Sequence, residues 1–228
     1  SLFGISNLYL IRISSDYFSN SAELNPFTQL WSLSMEGQYY LFYPFIVFLT
    51  GFSTLRTNSV KYLNYTLLFL SSISIFIYLY FHSIDKISTY YLMPARFWEI
   101  AFGGIICIAV ETKNFLFLRL TKIPSLVILL LIIGTFFLPL EFDLLGTIAV
   151  TLLTGCLICA SKKGLLYSLF TNNIVLYIAK ISYSLYLWRW AIVAFSLWTI
   201  GIHWWSVPFQ VLLLFLIADF SYRFIELP

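Results

Sequence analysis

Charge is scarce in this chain. Only 10% of its residues are Asp, Glu, Lys or Arg, where a soluble domain carries about 25%, and that shortage excludes an ordinary soluble globule. No dense basic run exists, so the net charge of +3 does not point to nucleic acid as a partner. Cysteine is sparse as well. Cys107, Cys156 and Cys159 all fall in apolar segments, and the C-x-x-C spacing of the last two has no neighbouring histidine or second pair to complete a metal site. They read as packing residues. No Ser-His-Asp order, Gly-rich phosphate loop or HxxxD-like motif is present, and short alternating β-barrel segments are missing too. The absence of a convincing internal repeat weakens an inverted-repeat transporter reading.

What the chain has instead is apolar length. Its hydrophobic fraction is 61%, its mean hydropathy +0.90, and its Phe, Tyr and Trp residues suit interfacial belts as well as packing. A membrane-spanning helix needs about 20 mostly apolar residues. The sequence predicts seven such segments, near 31–52, 62–81, 91–110, 123–140, 144–160, 181–200 and 204–220. A shorter eighth lies at 2–13, so the expected fold is an all-α transmembrane bundle of seven to eight spans. Arg56, Lys61, Lys113, Arg119, Lys122, Lys162, Lys163, Lys180 and Arg223 fall on one side of that alternation, which the positive-inside rule makes cytoplasmic. Asp16, Glu23, Asp85, Glu141 and Asp143 fall on the other. Residues 161–180 mix Lys162, Lys163 and Lys180 with Leu and Ile, as in a helix lying on the inner membrane surface. The chain starts at Ser1, shows no cleavable signal peptide and ends directly after an apolar helix, so a fragment of a longer membrane protein is expected.

Four ionisable side chains fall inside predicted spans: Glu36, Arg96, Glu99 and Arg189. Each costs roughly 2.5–3.5 kcal/mol at bilayer depth if it is left unpaired. Two are negative and two positive, so they are expected to pair, to face a hydrated cavity, or both. Arg96 and Glu99 are three residues apart on one helix face, the spacing of an intrahelical ion pair. Trp31, Ser32, Gln38 and Tyr39 flank Glu36. His82 and His203 read as exposed outer-loop histidines.

The run Asn25-Pro26-Phe27-Thr28-Gln29-Leu30-Trp31-Ser32-Leu33-Ser34-Met35-Glu36-Gly37-Gln38-Tyr39-Tyr40-Leu41, with Pro44 following, resembles the "NPLLHTWSLxVEEQFYLxxP" signature of the acyltransferase 3 family of membrane-bound O-acyltransferases. Pro94-Ala95-Arg96-Phe97-Trp98-Glu99 is similar to that family's "PxRxWELxxG" segment. Ile181-Ser182-Tyr183-Ser184-Leu185-Tyr186-Leu187-Trp188-Arg189-Trp190 is similar to its "ISYSLYLWHWP", and Tyr222 to Pro228 to its closing "YRxIExP". The four runs occur in order and cover nearly the whole chain.

The resemblance implies a multi-pass enzyme of the bacterial inner membrane, built on a fold of about ten helices of which this chain lacks the first few. It implies transfer of an acyl group, commonly acetyl, from acyl-CoA to a hydroxyl of a glycan or lipid-linked saccharide of the cell envelope, such as lipopolysaccharide. A histidine supplied from the preceding helices would be the base. The matching positions here are Glu36, Arg96, Glu99 and Arg189 for catalysis, and Trp31, Ser32, Gln38, Tyr39, Trp98, Ser182 and Tyr183 for substrate contact. No metal is implied. Gln29 stands where the signature has His, Gly37 where it has a second Glu, Arg189 where it has His, and Ala191 where it has Pro. A permanent cation at position 189 cannot act as a general base but can hold a carboxylate or phosphate. The alternatives are a catalytically inactive family member and a proton or solute transporter.

Overall fold

Where backbone groups have no water to bond, an apolar segment satisfies them internally by becoming a helix. The computed structural model of this chain follows that rule. It describes residues 4–13, 27–51, 58–112, 123–160 and 164–227, and among these the regular structure is all-helical. The helices are α1 (Ser6–Ile13), α2 (Leu30–Leu49), α3 (Ser59–Ile84), α4 (Lys86–Tyr91), α5 (Met93–Glu111), α6 (Ser125–Thr135), α7 (Asp143–Ala160), α8 (Leu165–Phe170), α9 (Asn173–Lys180), α10 (Ser182–Thr199) and α11 (Val207–Ser221). A π-helical turn, Tyr222–Glu226, follows α11.

The surface chemistry is that of a protein in lipid. Leu49, Phe137 and Trp204 are each more than 80% exposed, while Asn7 and Ser184 are fully buried. Many large apolar side chains face outward, while small polar ones share the interior with residues such as Leu67 and Tyr91. A soluble fold would reverse this.

Four helical stretches are long and apolar enough to cross a membrane: Ser59–Ile84, Lys86–Glu111, Asp143–Ala160 and Val207–Glu226. They account for four of the seven predicted spans. The other three differ for identifiable reasons. α2 and α10 have the length, at 20 and 18 residues, but their Ser, Tyr, Trp and charged residues keep their hydropathy below that of a span. α6 has only 11 residues, about 16 Å of helix against a hydrocarbon core of about 30 Å. It ends at Thr135, whose hydroxyl donates to the Ile132 carbonyl at 2.6 Å, just ahead of the turn into Pro139.

The chain forms two compact units. The first comprises Ser1–Gln38 and Asn172–Pro228, and the second Tyr39–Thr171. In the second, α3 buries Ser59, Leu63, Leu67, Ser71, Ser74 and Tyr78, a single stripe at helical spacing, and α5 presents Ala95 and Ala101, both at 0% exposure. Small residues allow the close helix approach that membrane packing requires. The Ser74 hydroxyl bridges the α5 backbone, donating to the Pro94 carbonyl at 2.6 Å and accepting from the Trp98 amide at 3.1 Å. Between α3 and α5, Asp85 caps α4 by accepting from the Ile87 and Ser88 amides. A further bond from the Ser88 hydroxyl is the main reason its carboxyl lies below the ordinary aspartate range.

In the first unit, α10 and α11 form a hairpin. Gln210 donates to Ser196 at 2.6 Å at one end of it, and Ser184 donates to Glu226 at the other. The predicted surface segment 161–180 contains two short helices, α8 and α9, separated where Asn172 caps α9 by accepting from Ile174. Lys162 and Lys163 lie outside the described residues, as do Asn25, Pro26, Asp16, Glu23, Arg56, Lys113, Arg119 and Lys122.

Candidate active site

Two groups of predicted site residues are built differently. In the first unit, α2 carries the Trp31–Gln38 part of the signature. Ser34 and Gln38, one helical turn apart, face α1. The Ser34 hydroxyl accepts the Ser6 amide at 3.2 Å. Gln38 Nε2 donates to Asn7 Oδ1 at 3.0 Å and to the Gly4 carbonyl at 2.8 Å, and Asn7 Nδ2 donates back to Gln38 Oε1 at 3.4 Å. With Asn7 fully buried, this reciprocal amide pair anchors α1 on α2. Gln38, expected to contact substrate, therefore has an internal structural role here.

Ser32 hydrogen-bonds the Tyr186 hydroxyl of α10, which also donates to the Gln29 carbonyl at 2.7 Å. The loop-charge alternation puts the starts of α2 and α10 on opposite faces, so it does not anticipate this pairing. Gln29, at the position of the signature histidine, keeps its side-chain oxygen buried and without a hydrogen-bond donor among the described residues. Glu36 and Arg189 are both exposed, and neither has an ion-pair partner among the described residues. Of the four charges expected to pair, to face a hydrated cavity, or both, Arg96 and Glu99 pair with each other. Gly37 meets open space, so nothing in its packing demands a glycine where the signature has Glu. Ser182 and Tyr183 are exposed at the start of α10.

In the second unit, Arg96, Trp98 and Glu99 come from the first turns of α5. Arg96 Nη1 lies 3.7 Å from Glu99 Oε2, with both side chains less than a quarter exposed. The Arg96 guanidinium also covers the Tyr90 ring at 4.6 Å from its centroid, a cation–π contact on its second face. Glu99 Oε1 is buried and unbonded among the described residues, as is Trp98 Nε1. Tyr39 is buried, with its ring 5.3 Å from Phe97 and stacked on Tyr43 at 5.4 Å.

Arg96 and Glu99 open on a polar cleft of about 420 Å³ between α5, the end of α6 and the start of α7, lined also by Thr135, Asp143, Thr147 and Thr151. An apolar recess of about 520 Å³ adjoins it along α5 and α7, sharing Glu99, Val150 and Thr151. At the cleft rim, Asp143 Oδ1 accepts from His82 Nε2 at 3.0 Å and Oδ2 from Lys86 Nζ at 3.4 Å. His82 is therefore not a loop residue. It belongs to the last turn of α3. Sequence reasoning missed this contact because His82 and Asp143 are 61 residues apart, although their placement on one predicted face was a usable signal.

A cation, a buried carboxylate with a free acceptor oxygen and a set of hydroxyls in an apolar wall can hold a polar substrate and stabilise a developing anion. That arrangement defines a helical membrane protein with a charged, open cleft on its second unit. The acyltransferase domain family matches residues 2–221, and the chain belongs to that family.

Among curated relatives, a protein of Staphylococcus aureus (strain COL), provisionally named as an O-acetyltransferase, is 28% identical over 250 aligned positions. The O-acetyltransferase OatA of Staphylococcus aureus (strain NCTC 8325 / PS 47) is 27% identical over 258. Both alignments cover 100% of this chain and 40% of the relative, so the chain spans about 40% of the length of these proteins. No solved structure matches the chain.

Proposed function

We propose that the protein is a membrane-bound O-acyltransferase that moves an acyl group, acetyl in the simplest case, from acyl-CoA to a hydroxyl of a cell-envelope glycan or lipid-linked saccharide. The observation that carries this reading is the Arg96–Glu99 pair, largely shielded on α5 and open to a cleft between α5, α6 and α7, in a chain of the acyltransferase family. The relatives' names supply acetyl as the group and oxygen as the acceptor atom. A bacterial cytoplasmic membrane fits the loop charges, with lipid around the exposed apolar faces.

In this reading the acceptor hydroxyl loses its proton to a base as its oxygen attacks the thioester carbonyl. Arg96 offsets the charge that gathers on the carbonyl oxygen. Glu99 Oε1 accepts from a hydroxyl or amide of the substrate. Within the first unit, Glu36 takes the role of orienting the base or the acceptor and Arg189 that of holding an anionic group, with Trp31, Ser32, Ser182 and Tyr183 as substrate contacts; within the second, Tyr39 and Trp98 are substrate contacts. Gln38 contributes indirectly, by fixing α2 on α1.

The test is Glu36→Gln in the full-length protein, assayed with acetyl-labelled CoA and envelope membranes. A loss of about a hundredfold or more in base-labile label, with normal membrane insertion, is expected for a residue that positions a general base. Unchanged incorporation would overturn the role of Glu36. Gln29, Gly37 and Arg189, standing where the family signature has titratable groups, favour a second reading as a non-catalytic family member, for which the parent itself would incorporate no label.

A further inference from the structure

A cation steadies a developing oxyanion well only if its N–H groups are in place before the reaction begins. The ion pair with Glu99 does not ensure this for Arg96. Its Nη1–Oε2 separation of 3.7 Å is longer than the N–H···O hydrogen bond, which ends at about 3.2 Å. That contact attracts the guanidinium without fixing its plane.

Tyr90 constrains the plane. Its ring centroid lies 4.6 Å from the central carbon of the Arg96 guanidinium, inside the range of about 6 Å over which the negative face of a ring attracts a cation. A guanidinium is flat and carries its N–H donors around its edge, so a ring on its face uses none of them. Arg96 itself lines the polar cleft, and its side chain is only 18% exposed.

Tyr90 is in turn held by α4. Asp85 caps that short helix by accepting the Ile87 and Ser88 amides. Tyr91, the next residue, is buried at 2% exposure and meets the Tyr90 ring edge to face, with centroids 5.0 Å apart and planes at 88°. One turn before Tyr90, on the same face of α4, Lys86 Nζ reaches Asp143 Oδ2 at 3.4 Å. Asp143 lines the same cleft as Arg96. A single face of α4 thus touches a charged cleft residue on α5 and another on α7.

We propose that Tyr90 is a positioning residue for acyl transfer, its ring holding the Arg96 guanidinium in place at the polar cleft. The inference rests on the acyl-transfer reading, in which Arg96 offsets the charge on the carbonyl oxygen, and adds the residue that sets its orientation. Tyr90 touches no reacting atom and acts through Arg96. The property it supplies is an electron-rich ring face, so the phenolic hydroxyl is dispensable and the aromatic ring is not.

The experiment uses the full-length protein in envelope membranes with acetyl-labelled CoA. Tyr90→Leu keeps apolar bulk but has no ring face. It should lower kcat by about three- to thirtyfold, the range of a cation–π contact, and leave the KM for acetyl-CoA near the parent's. Tyr90→Phe should keep most of the parent's kcat. Placing mono-, di- and trifluorophenylalanine at position 90 withdraws electrons from the ring face in steps while hardly changing its shape. The logarithm of kcat should fall with each added fluorine, a trend that a packing role would not produce.

A flat fluorine series in an active protein overturns the positioning role alone. So does a Tyr90→Leu protein as fast as its parent, or a Tyr90→Phe protein as slow as Tyr90→Leu. A parent that transfers no acetyl group overturns the acyl-transfer reading, and the role of Tyr90 with it.

Discussion

At Gln38 the sequence and the structure assign different roles to one side chain. Its neighbourhood in a functional signature suggests substrate contact, yet both ends of its amide are used on Asn7 and the Gly4 carbonyl. Removing one member of such a pair strands the other in a buried site. Gln38→Leu should therefore lower stability by about 1–3 kcal/mol, and Asn7→Leu by a similar amount, while the double variant loses less than the sum. Reversible unfolding in bicelles measures the coupling, and strictly additive losses would contradict the pairing.

The same scale shows what a signature can reveal. Arg96 and Glu99 were legible because three-residue spacing in a helix fixes their proximity. The Asn7–Gln38 and His82–Asp143 contacts were not, because they join segments whose packing no local pattern encodes. Glu36 and Arg189 stood out by their cost in lipid, but that cost does not say what meets them.

Among the elements, the contact of α5 with α7 depends on Gly155. A Cβ built there would lie 2.3 Å from Ile106 Cδ1 and 2.8 Å from Phe102 Cε1, so α7 approaches α5 closely only because that atom is missing. Gly155→Ala must push the Ile106 tip and turn the Phe102 ring, and after alanine's gain of about 1 kcal/mol in helix propensity should cost about 1–2 kcal/mol net. Ile106→Ala relieves the clash but also truncates a buried side chain, so the double variant should lose less than the sum of the two single losses, as read from thermal unfolding in detergent. Full stability in Gly155→Ala would mean the helices are farther apart than described.

Element existence was legible from apolar runs, whereas element length was less so. The predicted segment 123–140 ran through the turn after Thr135, because Phe136, Phe137 and Leu138 continue the hydrophobic pattern after the helix has ended. In α2 and α10, the residues that make the signature recognisable are the ones that lower hydropathy. Motif and span signals compete there.

At the scale of the whole molecule, loop charge agrees with the helix ends in the second unit. The contacts of Asp143 with His82 and Lys86 put the end of α3, the start of α4 and the start of α7 at one end of the second unit, as the alternation requires. In a variant stripped of Cys107, Cys156 and Cys159, a single cysteine at position 86 or 141 should react with an impermeant maleimide from outside the cell. One at position 113 or 163 should react only after permeabilisation. The Ser32–Tyr186 bond does not follow the alternation, so cysteines at positions 180 and 203 are the informative addition.

The central claim is O-acyl transfer, and its most direct test is to supply acetyl-labelled CoA to envelope membranes containing the full-length protein and to follow label into base-labile ester. The account predicts ester-linked label that depends on the protein and falls by about a hundredfold in Arg96→Gln, which removes the cation proposed to offset the developing oxyanion. Folded, correctly inserted protein that leaves all label on CoA would contradict it.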